Sequence, residues 1–185
     1  QPPTNHGPDF PDAGLELKTT GVTQNKDGKY RAKERLVLTM INYEVISREQ
    51  WDSSYFLGKC KMMLILFYLF AKDVPVFDHR FVLAPLIYKM SVADQEVIKR
   101  DWNTIRQKVL EGKAHELSEG DTFYLGACRK GSGGESEALQ KQPCSSELAK
   151  SRAFSFKQGY VNKIIDGHLE DKASLGISES VTFED

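Results

Sequence analysis

The run Met62-Met63-Leu64-Ile65-Leu66-Phe67-Tyr68-Leu69-Phe70 constrains this chain more than any other feature. Nine successive apolar residues leave no polar side, so the element they form has to be covered all round. Periodicity alone does not separate helix from strand. The shortness of the run and its missing polar stripe favour a strand inside a sheet with layers on both faces. Crossing a bilayer takes roughly 20 residues, so the run is not a membrane span and no membrane partner is expected. The chain has 185 residues, 40% of them hydrophobic and 10% aromatic, enough to enclose a core. One domain over residues 1–185 is the expectation.

Around that strand the pattern alternates between strand and helix. Leu15 and Leu17 interleave with Glu16 and Lys18, which puts both charges on one face of a short strand and both leucines on the other. The Asp27-Gly28 turn signal lies within residues 24–31, and residues 35–42 read as a second strand, together suggesting a hairpin. Residues 81–88 read as another strand, which Pro85 consigns to an edge or a bulge. Ser91 and Asp94 have the form of a capping box, and Ile98, Trp102, Ile105 and Val109 follow at helical spacing up to Gly112. A short apolar stretch at 122–128, a Gly/Ser-rich loop at 131–134, a strand through Phe154 and Phe156, a helix over 158–168 and an acidic, fraying end at 179–185 complete the reading. The expected fold class is α/β, a mixed central sheet flanked by helices.

Charge excludes some partners and leaves others open. With 25 basic and 26 acidic residues the net charge is -1, so any nucleic-acid binding must rest on local patches. The densest basic run is Lys26, Lys29, Arg31, Lys33 and Arg35, diluted by Asp27 and Glu34; it reads equally as a solvated hairpin or as a track for a phosphate backbone. Cys60, Cys128 and Cys144 form no CxxC pair, which argues for reduced thiols and a cytoplasmic setting rather than a disulfide framework or a zinc site. His6, His79, His115 and His168 show no metal-binding spacing, and His115 reads as a structural turn residue. The first residues carry neither an initiator Met nor a signal-peptide pattern, so the natural N-terminus is expected to be missing.

Chemistry enters with Asp9, Glu16 and Lys18. Magnesium takes oxygen ligands, keeps several waters and is held by one or two carboxylates plus substrate phosphate. Asp9 and Glu16 meet that need if the strand brings them together. Lys18, on the same face as Glu16, is placed to orient or deprotonate an attacking water and to stabilise developing negative charge. Glu-x-Lys occurs three times, at Glu16/Lys18, Glu111/Lys113 and Glu170/Lys172, and only the first combines strand alternation with a preceding acid. The spacing by itself leaves a solvated strand face open as the alternative.

Pro8-Asp9-Phe10 followed by Gly14-Leu15-Glu16-Leu17-Lys18-Thr19 resembles the metal-binding signature of the MutH family, within the PD...(D/E)xK nucleases. The blocks at 33–38, 41–44, 112–120 and 152–160 are similar to the GATC-cutting type II restriction branch of that family. The resemblance spans nearly the whole chain and implies a restriction-endonuclease-like fold and metal-dependent hydrolysis of duplex DNA at GATC. Asp9 and Glu16 would be ligands of one or two Mg2+ ions, Lys18 the catalytic lysine, and Lys59 a further active-site lysine. For Lys59 and Lys61, phosphate contacts or a solvated strand start are the alternatives. Arg129 and Lys130 match the family's recognition loop; Lys130 is the first candidate for reading a base and Arg129 the second. Phosphate positioning is the alternative for both. Lys157, Lys33, Arg35 and Lys61 are further candidate DNA contacts. Ser155 stands where the strand-nicking repair enzyme has a tyrosine that helps sense adenine methylation, which favours the restriction branch.

The family also has an acidic residue on a helix upstream of the first aspartate, and restriction-type relatives carry a second MutH-like domain downstream; neither is expected within these residues. Three rivals stand beside the nuclease: a DNA-binding effector module that does not cut, the repair nickase, and an enzyme of small phosphorylated substrates.

Overall fold

The computed structural model describes residues 7–75, 78–130 and 139–174. The loop at 131–134, the acidic end, His6 and the first residues lie outside them. By internal contacts the chain forms two compact units, one from Gln1–Leu36, Met62–Lys89 and Gln158–Asp185, the other from Val37–Lys61 and Met90–Lys157.

The first unit is built on β1 (Glu16–Gln24) and β2 (Tyr30–Ala32). Asn25 makes the turn between them: its N–H bonds the Lys29 carbonyl at 3.0 Å, its side-chain oxygen accepts from the N–H groups of Asp27 and Lys29, and Gly28 supplies φ +78°. The return strand therefore begins at Tyr30, with Thr23 opposite Arg31. This corrects the expected hairpin, because β3 (Leu36–Met40) belongs to a different sheet.

The apolar run becomes β4 (Met62–Leu69), with β5 (Phe81–Lys89) beside it. The sheet order is β2-β1-β4-β5; β1 and β4 are parallel, and the other two pairs antiparallel. β4 is interior, as its composition requires. Met63, Ile65 and Phe67 are fully buried and the residues between them half-buried, so both faces are covered but unequally. Pro85 lies on the edge strand, within the irregularity where Ile65 pairs with Leu86 and Phe67 with Leu83. Here a missing N–H costs the ladder nothing.

The helix Gln158–Ser174 (α4 below) covers this sheet with Tyr160, Val161, Ile165 and His168. The Tyr160 and Tyr88 hydroxyls bond at 2.7 Å, His168 stacks on Phe67 at 6.0 Å, and its Nε2 is 2.9 Å from the Ala84 carbonyl. His168 is thus a satisfied core histidine.

In the second unit β3 joins β6 (Leu125–Arg129) and β9 (Arg152–Phe156) in the order β3-β9-β6, and β7 (Leu139–Gln142) pairs with β8 (Ser145–Lys150). Among the described residues three α-helices complete it: α1 (Tyr43–Arg48), α2 (Tyr55–Cys60) and α3 (Val92–Leu110). Ser91 caps α3 by accepting the Asp94 N–H, and Ile98, Trp102, Ile105 and Val109 are its buried stripe, as the spacing predicts. Trp102 meets Trp51 edge-on at 5.8 Å, and Trp51 and Phe154 both pack on Phe56.

Gly112 ends α3 with φ +69°, and a Cβ there would come within 2.7 Å of the Cys144 carbonyl oxygen in the β7–β8 turn. Gly112→Ala is therefore expected to lower stability by about 2 kcal/mol or more, read by urea denaturation. The buried Tyr43 hydroxyl donates to the Lys150 carbonyl at 2.5 Å. Burial pushes its pKa up from 10.0 to about 12, against the opposing pull of the Arg152 guanidinium. Neutral Tyr43 thus contributes stability that is fully present below pH 10 and is lost as pH rises toward 12. Denaturation of Tyr43→Phe across that interval should fall off less steeply than in the parent.

Candidate active site

Asp9, Glu16 and Lys18 come together in the first unit through a short closed loop. Phe10 and Leu15 exchange both main-chain hydrogen bonds, at 2.9 and 3.1 Å. Between them Pro11–Ala13 form a single 3-10 turn, with Pro11 at its start and Gly14 leaving it at φ +60°. The closure returns Asp9 to the first residues of β1. There the Leu17 N–H donates to Asp9 Oδ2 at 3.0 Å, and the Asp9 N–H donates to Glu16 Oε2 at 3.2 Å. Each carboxylate holds the backbone that presents the other.

Register explains the environment of Glu16. It pairs with Met63 and Lys18 pairs with Ile65, so both charges stand on the face of the sheet that carries the core positions of β4. Glu16 is accordingly only 1% exposed, more buried than Leu15 or Leu17. The alternation places charges and leucines on opposite faces as expected, but the charged face is the buried one. A solvated strand face is excluded. A carboxylate so placed needs compensation, and Lys18 Nζ supplies it at 2.5 Å from Glu16 Oε1.

The other candidates are held differently. Lys33 is exposed and its Nζ sits 3.2 Å from the centre of the Phe70 ring, a cation–π contact that ties it to the first unit's surface. Arg35 is exposed. In the second unit Lys59 lies in the last turn of α2, its Nζ 6.0 Å from the Tyr55 ring centre, and exposed Lys61 follows the helix. The idea that Lys59 begins a strand is therefore corrected: the Ser54 hydroxyl caps a helix here by accepting the Leu57 N–H.

Arg129 is exposed at the end of β6, opposite Arg152, and the Lys130 N–H bonds the Ser151 carbonyl. Both stand just before the undescribed residues 131–138. The Lys157 ammonium donates to the Thr122 carbonyl. His115 lies in a 3-10 turn, with Nδ1 3.0 Å from Gln142 Nε2 and Nε2 3.3 Å from Glu147 Oε2, in keeping with a structural role.

The sequence reading missed Asp101. It is buried on α3 and accepts the N–H groups of Phe123 at 2.9 Å, Tyr124 at 2.6 Å and Leu125 at 2.8 Å. Its only sequence signal is an acid beside Trp102 on the buried stripe. Cys60, Cys128 and Cys144 are free thiols, as expected. Among the described residues no helix is long and apolar enough to cross a membrane.

Residues 1–101 match the family described as DNA mismatch repair enzyme MutH. The chain is 46% identical over 160 residues to the type II restriction enzyme Sau3AI of Staphylococcus aureus, an alignment that covers 85% of this chain and 32% of that protein. It is 23% identical over 165 residues to the DNA mismatch repair protein MutH of Serratia proteamaculans, covering 87% of this chain and 69% of that one. The corresponding protein of Shewanella woodyi is 25% identical over 159 residues, covering 85% and 67%. The chain thus spans about a third of the restriction enzyme's length and about two thirds of the repair proteins'.

Replacing Lys18 by Met would strand the Glu16 carboxylate in the core, and a loss of roughly 3 kcal/mol is expected on denaturation. With Glu16→Gln added, the two losses should fall short of additivity by about 1–3 kcal/mol. Additive losses would mean that the pair is not coupled.

Proposed function

The chain belongs to the MutH family, with its restriction-endonuclease-like fold, and we propose that it is the catalytic domain of a type II site-specific deoxyribonuclease. Its substrate is duplex DNA containing GATC, and its reaction is hydrolysis of a phosphodiester that leaves a 5' phosphate. The observation that carries this reading is the Asp9–Glu16–Lys18 interlock, with Glu16 buried on the core face of the sheet and paired with Lys18.

The donor set fits Mg2+. Two carboxylates brought together through their own backbone offer hard oxygen ligands, and no group of three or more His, Cys, Asp or Glu side chains that could hold a metal occurs among the described residues. Magnesium does not require one, because it keeps waters and shares the substrate's phosphate oxygens. Bound by Asp9 and Glu16, it would supply charge neutralisation at the phosphate and a more acidic water.

The chain's own residues do the rest. The Leu17 N–H fixes Asp9 and the Asp9 N–H fixes Glu16, so neither carboxylate has to reorganise when substrate arrives. Lys18, a donor oriented by Glu16, positions the attacking water and stabilises negative charge as the phosphorus gains its fifth oxygen. The 3' oxygen leaves in line with the attack. Lys59 is a further active-site lysine in this reading. Lys130 and Arg129 read base edges, and Lys33, Arg35, Lys61 and Lys157 bind phosphates.

A short duplex with one GATC, against a scrambled control, tests the reading. Cleavage is expected at GATC with magnesium, and Asp9→Ala should lower it by roughly a hundredfold or more while selective binding persists in calcium. Selective binding without any cleavage by the parent chain would instead favour an effector module.

A further inference from the structure

Arg152 is 4% exposed, and among the described residues no carboxylate forms an ion pair with it. Its guanidinium crosses to the neighbouring strand, where Nη1 donates to the Ala127 carbonyl at 2.6 Å, while its buried Nε has no hydrogen-bond partner among those residues. Asp121 is the carboxylate that acts on it, and that charge is already taken by Lys108 at 2.8 Å. Directly opposite stands a second cation. Arg129 faces Arg152 at the end of the β6–β9 ladder and is exposed. The adjoining rung carries the bond from the Lys130 N–H to the Ser151 carbonyl, so the Arg129/Arg152 rung is a non-hydrogen-bonded one, the kind in which facing side chains stand closest. The two charges act on each other: burial lowers the pKa of Arg152, and Arg129 pushes it further the same way, more strongly than Asp121 pulls it back.

Stability does not account for this pair. A buried guanidinium with one carbonyl for a partner costs more than an apolar side chain of similar volume would. Like charges directly opposite in an antiparallel pair add to the cost. Bracing β6 through the Ala127 carbonyl needs only a donor, and a neutral one would serve without the repulsion. Burial and the Ala127 carbonyl fix Arg152, so Arg129 is the one able to move, and the repulsion directs it away from the sheet. An arginine held out in this way meets a polyanion with its donors unspent, and the anion's charge relieves the repulsion as it binds.

We propose that Arg152 is a positioning residue for DNA recognition: its buried charge holds the Arg129 guanidinium out from the end of β6, and the repulsion between them is relieved when the duplex binds. The inference rests on the DNA-cutting reading above and adds to it a buried residue that acts through Arg129. The pair thus lowers the stability of the free protein and raises the affinity of the complex.

The test is a cycle of Arg129→Met and Arg152→Met in this chain, with Arg152→Lys as the variant that keeps the charge. It is read by thermal melting of the free protein and by binding of a short GATC duplex in calcium. In the parent, Arg129→Met should raise the melting temperature by roughly 1–4 °C and weaken binding by roughly tenfold. In the Arg152→Met background the rise should vanish and the loss of affinity should shrink several-fold, and Arg152→Lys should restore both. A residue that only braces the sheet would move neither difference. Equal effects of Arg129→Met in both backgrounds therefore overturn the proposal and leave the nuclease reading standing. So does a melting temperature that stays level or falls on Arg129→Met in the parent, a result that does not depend on any Arg152 variant folding. Absence of selective GATC binding by the parent removes the DNA reading itself, and the proposal with it.

Discussion

The burial of the Glu16 carboxylate is the constraint on which the first unit turns. An ionised group in the core face of a sheet costs several kcal/mol unless its oxygens are occupied. Here one oxygen meets the Lys18 ammonium and the other the Asp9 N–H. The requirement propagates outward: Lys18 must stand two residues along the same strand, and residues 9–15 must fold back far enough to bring Asp9 alongside. Pro11, the αL glycine at 14 and the Phe10–Leu15 bridge are the means. A short loop that might otherwise serve only as a lead-in is thus specified by a charge balance inside the sheet.

The second unit uses the same device for another purpose. Asp101 is also a buried carboxylate, but its partners are three consecutive main-chain N–H groups and the result is a fixed stretch of backbone. A carboxylate filled by peptide donors is structural. Glu16 instead has the Lys18 ammonium on one oxygen and the Asp9 N–H on the other. The contrast separates the two sites more clearly than burial does, since both groups are buried.

Several basic side chains that look alike in the sequence are unlike in the fold. Lys33 lies over the Phe70 ring, Lys157 holds the Thr122 carbonyl, and Arg152 is buried with its guanidinium donating to the Ala127 carbonyl. Arg129 is exposed at its strand end, directly opposite Arg152 in the ladder. Burial lowers the pKa of Arg152, with the neighbouring Arg129 acting in the same direction and the Tyr43 side chain against it. The basic side chains are therefore divided between ones held within their own unit and ones that face solvent.

Much of this was legible in the chain itself. Nine apolar residues in a row favoured an interior strand, Pro85 pointed to an edge or a bulge, and Ser91 and Gly112 bounded a helix, because these outcomes follow from hydrogen-bonding capacity and sterics within a few residues. The Asp9/Glu16/Lys18 grouping was legible as a motif. What the chain alone left open were matters of pairing between distant segments. β3 joins β9 and not β1, Glu16 faces the core and not water, and Asp101 reaches across to residues 123–125. A period-2 pattern tells which side chains share a face, but only the register with a strand 47 residues away tells which face is buried. Sequence thus determined the elements and the chemistry they carry. The tertiary structure decided their environment, because the cost of burying a charge is set by neighbours that local sequence does not contain.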